Sequence, residues 1–167
     1  IEIAPPEQAP SGRLIFGAVG HDLDCALVSI PGLAPPRGLE GHVLRPTKIP
    51  WTETRPPPYG LVRHVSPSQS ARVDGRLVGT GTRAGLLTLG DSPYQLTYSD
   101  ILVVSTAGST FSKATDSGSL VFDEHRRALG FVVGGTTTRD GADLSFILTD
   151  FRRLQSALGA DFNRFFE

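Results

Sequence analysis

The sequence predicts an all-β protein followed by a C-terminal helix. Three observations carry that prediction. From Tyr59 to Leu148, apolar and polar residues alternate in short runs, and turn residues recur about every eight to twelve positions, the spacing of a barrel or a sandwich. Residues 31–58 hold eight of the 13 prolines, which remove ladder donors and so mark a long connection, not a central sheet. After Asp150 the apolar spacing changes to a near-helical one at Phe151, Leu154, Leu158, Phe162 and Phe165.

Taken in order, residues 1–12 are rich in proline and read as an extended lead-in. Arg13 to Gly20 reads as a strand ending in a turn, and Asp24 to Ile30 as a second strand stopped by Pro31-Gly32. Trp51, in the proline-rich connection, is expected to pack on a barrel. Leu61–Ser66 alternates as a strand does. Ala71–Thr80 reads as two strand runs around an Asp74-Gly75 turn. Leu86–Leu89 and Tyr94–Val104 follow, then a tight turn at 115–118, strands at Leu120–Phe122 and Ala128–Gly135, an Asp140-Gly141 turn and a closing strand at Leu144–Leu148. Asp150 is placed to cap the helix, which Gly159 interrupts.

Composition narrows the function classes. The chain has 167 residues, 39% hydrophobic and 20% charged, enough to fold as one domain or as two small barrels. A net charge of −1 with no evident basic face argues against nucleic acid as a main partner. No apolar run approaches the roughly 18 residues of a membrane span. The lone cysteine, Cys25, cannot form an internal disulfide, so an intracellular, reducing setting is expected. No metal site and no cofactor are expected. The chain starts at Ile1 and contains no methionine, and is read as a processed or cropped piece of something longer.

The chemistry concentrates at Thr115-Asp116-Ser117-Gly118, with the apolar run Leu120-Val121-Phe122 directly after it. A serine at the mouth of a rigid strand, next to a glycine that frees the backbone, is a fixed hydroxyl of the kind nucleophilic catalysis requires. This Asp-Ser-Gly and strand, the glycine-ended strand Ala128–Gly135 and a terminal helix, in that order, resemble the C-terminal barrel of trypsin-like (chymotrypsin-fold) serine peptidases. The likeness is strongest over residues 59–158 and to the divergent intracellular forms found in modular fungal and bacterial proteins.

The resemblance implies a chymotrypsin-like double β-barrel whose first barrel is incomplete in this chain. Residues 1–32 would be the remainder of that barrel, 33–58 the inter-barrel connection, 59–149 the C-terminal barrel and 150–167 the helix. It implies Ser117 as nucleophile and Asp24, followed by Cys25-Ala26-Leu27, as the carboxylate that orients the base. Thr115 and Ser117 would supply the oxyanion-hole amides. Phe111 would form the base of the first substrate pocket, with no acid there to favour Lys or Arg. Val133, Gly134 and Gly135 would lie along the bound polypeptide.

Two departures stand out. The family's histidine lies upstream of its aspartate, yet only 23 residues precede Asp24. His21 is too near Asp24 on one short segment to face it across a cleft. His42 lies in the connection, His64 on a barrel strand and His125 in a hairpin, each read as solvated or locally packed. Either the base is on an upstream segment, which could remain as a separate fragment, or there is none. Thr115 stands where the family has glycine at positive φ; a β-branched residue there implies strain of about 1–3 kcal/mol or a flipped peptide. Ile1 resembles the family's activated amino terminus, the partner of the acid at Asp116, but is read as a boundary. The leading expectation is a serine endopeptidase. The alternatives are a pseudo-peptidase serving as a binding or regulatory module and an unrelated β-barrel binding module.

Overall fold

The computed structural model describes residues 2–3, 12–20, 23–29, 48–66, 68–89 and 92–167. Strands β1 (Glu2–Ile3), β2 (Gly12–Gly20) and β3 (Leu23–Ser29) form an antiparallel sheet in the order β1-β2-β3. Asp24 sits in β3 opposite Val19. Its side chain, like His21 and His42, lies outside the described residues.

The next six strands close into a barrel: β4 (Leu61–Ser66), β5 (Ala71–Leu89), β6 (Ser92–Ser105), β7 (Leu120–Asp123), β8 (Ala128–Thr137) and β9 (Asp143–Leu148). Their order is β4-β5-β6-β9-β8-β7, and β7 pairs back onto β4 through Val62↔Asp123 and His64↔Val121. Every pair is antiparallel. Closure removes the open edges that would otherwise need covering. The two-residue period of a strand decides what enters the core. On β4, Val62, His64 and Ser66 point in and are buried, whereas Val65 points out. The interior is filled by Val62, Leu77, Leu102, Val104, Phe111, Val121, Leu129, Val132 and Ile147.

Asp74-Gly75 is not a turn. Strand β5 runs straight through it, with Gly75 paired to Val62. A Cβ at Gly75 would lie 2.6 Å from both Phe111 and Val104, so glycine is required by the close approach of core side chains and not by a bend. Beyond Gly81 the β5–β6 pair continues as a two-stranded ribbon, from Arg83↔Tyr98 to Leu89↔Ser92.

A second apolar cluster covers the outside of β8. Helix α1 (Phe151–Leu158) starts at Asp150, whose side chain accepts a bond from Arg153 N at 3.0 Å. Gly159, at φ 55°, ends it, and a short helix α2 (Phe162–Phe165) follows a 3-10 turn. Phe151, Leu154, Phe162 and Phe166 are buried against Ala128 and Trp51. Trp51 stacks on Phe151 at 5.4 Å and meets Phe162 edge-on at 5.8 Å, so it packs on the barrel. Thr52 N to Ala128 O, at 3.0 Å, and Ala128 N to Pro50 O, at 2.7 Å, hold its segment in place.

Candidate active site

The turn before β7 is built around a buried acid. Ala114–Asp116 forms a right-handed 3-10 turn closed by Asp116 N donating to Lys113 O at 2.9 Å. The Asp116 side chain has no solvent exposure. Its carboxylate accepts from Ser66 Oγ at 2.8 Å, Ser68 N at 3.1 Å, Ser68 Oγ at 3.1 Å and Lys113 N at 3.0 Å. Burial pushes its pKa up, but these donors outweigh burial and lower it to about 2. The acid therefore stays ionised and ties the turn to the segment after β4.

The other side of the turn is pinned to β8. Gly118 N donates to Val132 O at 2.8 Å, and Val132 N donates to Ser119 O at 3.0 Å. Gly118 adopts φ 86°, which its lack of a Cβ permits. Ser117 lies between the two anchors and is exposed. Its Oγ donates to Ala114 O at 3.3 Å.

Among the described residues no imidazole bonds to that hydroxyl. His64 is buried in the barrel, its Nε2–H donating to Phe111 O at 2.6 Å, while its Nδ1 has no partner. His125 is exposed on the β7–β8 hairpin beside Glu124. Thr115 belongs to the 3-10 turn and is not at positive φ, so the strain expected for a β-branched residue there does not arise. Among the described residues there is also no group of three or more His, Cys, Asp or Glu side chains able to hold a metal.

Ser117 opens onto a cleft of about 420 Å³, which Ala114, Gly134, Gly135, Arg83 and Asp143 also line. Gly134 and Gly135 thus share a cleft with Ser117. Val133 sends its side chain to Tyr98, Ile101 and Leu148, and its carbonyl accepts from Arg83 Nη1 at 3.3 Å.

Phe111, expected as the base of the first pocket, is not among the residues that line this cleft. Its ring is wholly buried and packs on His64 with centroids 4.6 Å apart. Strict side-chain direction decides this: Phe111 turns inward, and its neighbours Thr110 and Ser112 face the cleft. The cleft also holds an acid. The Asp143 carboxylate lines it, accepting from Thr110 Oγ1 at 2.6 Å and Thr137 Oγ1 at 2.7 Å, and these hydroxyls hold its pKa below the ordinary carboxylate value.

Sequence reasoning did not find Ser66, Ser68, Arg83 or Asp143. The Ser66-Pro67-Ser68-Gln69-Ser70 run was the one available signal: an acid buried in a turn needs hydroxyl or amide donors, and this run follows an inward-facing strand.

No protein-family model matches the sequence, and no curated protein matches it. Solved structures do. The active form of the Rv3671c protease from M. tuberculosis superposes with a TM-score of 0.57 at 17% identity, over 90% of this chain and 60% of that one. A Nocardiopsis protease (NAPase) gives 0.54 at 17% identity, over 90% of this chain and 73% of that one. Thermobifida fusca Protease A gives 0.53 at 17% identity, again over 90% and 73%. The chain thus spans about 60% of the length of the first of these. Its antiparallel barrel and terminal helix are those of the chymotrypsin fold, the fold of trypsin-like serine proteases.

Proposed function

We propose that this chain is part of a serine endopeptidase that cleaves polypeptides through an acyl-enzyme. The observation that carries this reading is the exposed Ser117, fixed between the Asp116 anchor and β8 at the mouth of a cleft lined by Gly134 and Gly135. In the proposed reaction Ser117 Oγ attacks the substrate carbonyl and its proton passes to an imidazole. That imidazole then protonates the leaving amine. Asp24 orients the imidazole, which comes from a segment upstream of this chain, covalently attached or retained as a fragment. The amides of Ser117 and Thr115 stabilise the oxyanion. Residues 1–32 then belong to the first barrel and 59–149 to the second. An intracellular setting goes with the single Cys25.

In the complete protein, Ser117→Ala should abolish peptide hydrolysis, and a fluorophosphonate should label Ser117 and not the variant. Unchanged hydrolysis by the variant would refute the assignment. A second reading, a pseudo-peptidase that binds peptides without cutting them, is favoured by one observation: Ser117 Oγ donates to the Ala114 carbonyl, not to a base. Stoichiometric labelling would exclude it.

A further inference from the structure

We infer that the cleft beside Ser117 selects a substrate side chain bearing a carboxylate, and that Arg83 is the residue that reads it. This rests on the reading of the cleft as a peptide-binding site and adds the class of residue it accepts.

Arg83 stands where the β5–β6 ribbon leaves the barrel, and its half-buried side chain reaches back into the cleft. Its guanidinium carbon lies 4.9 Å from the centre of the Phe146 ring, a cation–π distance. Nη1 donates to Val133 O at 3.3 Å. Gly134 is what lets it lie there. A Cβ on that residue would overlap Nη1, and the φ of 145° at Gly134 disfavours any other residue.

A guanidinium has five N–H donors, and among the described residues this one gives a single bond, to a neutral carbonyl. Among the described residues Arg83 forms no ion pair, and neither does Lys113, which lines the same cleft. The opposing charge there is Asp143, whose two oxygens already accept from Thr110 and Thr137. Two unpaired cations against one satisfied carboxylate leave the cleft with surplus positive charge. A partly desolvated guanidinium pairs best with a planar carboxylate, through two parallel bonds that a carboxamide cannot match.

The test uses fluorescein-labelled, N-blocked tetrapeptide amides that differ only in the last residue: Glu, Gln, Lys or Phe. Their binding to the Ser117→Ala protein is measured by fluorescence anisotropy. The Glu peptide should bind about tenfold or more tighter than the Gln peptide, the size of a charge-assisted pair, and the ratio should shrink in high salt. Arg83→Gln should bring the two together, and Arg83→Lys should keep part of the preference, with both variants melting near the parent temperature. Equal binding of Glu and Gln peptides, a preference for Lys, or no binding of any peptide would overturn the inference. A fifth peptide, the Phe sequence with a free C-terminal carboxylate, serves as a control: binding of it without preference for the Glu amide would also overturn the inference. Hydrolysis by the unsubstituted protein is scored separately. Glu-selective binding without Ser117-dependent cleavage keeps the inference and retires the peptidase, and cleavage without a Glu preference does the reverse.

Discussion

Ser66 Oγ donates to the Asp116 carboxylate at 2.8 Å, joining residues 50 positions apart and fastening the turn that carries Ser117 to the end of β4. The acid is fully buried and takes its donors from Ser66, Ser68 and Lys113 N, all within or beside the same barrel. The geometry of the serine turn is thus held by the C-terminal barrel itself.

The first prediction concerns acid stability. The Asp116 pKa falls from 3.8 to about 2 on folding. A depressed carboxylate pKa contributes stability above its unfolded value, and that contribution is lost as pH falls through the folded value. The shift corresponds to about 2 kcal/mol, present at pH 5, mostly lost by about pH 2 and gone below it. Thermal melts across this window should show the loss in the parent. Asp116→Asn should flatten that part of the profile and lower stability at neutral pH.

Removing a donor tests the same clamp from its other end. Ser66→Ala should cost about 1.5–3 kcal/mol, the range for a hydrogen bond to a charged group. Ser68→Ala removes the hydroxyl and leaves the Ser68 N bond in place, so its cost should be smaller. Urea denaturation of the two variants gives the order, and a larger loss at Ser68 would contradict it.

Gly75 shows both how much the sequence disclosed and where it stopped. The strands at 61–66 and 144–148, the Gly118 turn, the Asp150 cap and the break at Gly159 are local signals, and the structure follows them. Asp74-Gly75 carries the local signature of a turn, yet the strand continues, because Phe111 arrives from 36 positions away and leaves no room for a Cβ. Phe111 lies six positions before Ser117, and distance along the chain cannot tell an inward side chain from an outward one. Arg83 was invisible for a similar reason: only barrel closure brings the ribbon's base beside Gly134.

Gly75→Ala should therefore destabilise the barrel by about 1–3 kcal/mol through overpacking. Phe111→Leu should relieve part of that cost in the double variant, giving a favourable coupling energy in a double-mutant cycle. Additive losses would mean that the two side chains do not compete for the same space.

Under the proposed peptidase reading, Thr115 bears on turnover instead of stability. The 3-10 turn spares it a positive φ. If a positive φ is what aims its amide at an oxyanion, Thr115→Gly should ease that geometry and raise kcat. A whole oxyanion donor is worth about a hundred- to a thousandfold, so a better-aimed one should gain less than that. Pre-steady-state acylation by an activated ester reads this step directly, and an unchanged rate would remove Thr115 from the oxyanion site.

Trp51, the single tryptophan, reports on the outer cluster. It stacks on Phe151 and meets Phe162 edge-on, and its segment is tied to Ala128 by backbone bonds. Its emission should be blue-shifted in the native protein and move red on unfolding. Phe151→Ala removes the stacked ring from the centre of the cluster, where it also touches Phe131 and Phe166. The expected cost is about 3–5 kcal/mol, the range for emptying a buried aromatic site. The native emission of that variant should already be shifted red, because the indole loses the face that shields it. A large loss of stability with no change in emission would mean that Trp51 does not depend on Phe151 for its cover, and that Phe162 and the segment's backbone bonds to Ala128 and Glu167 hold it.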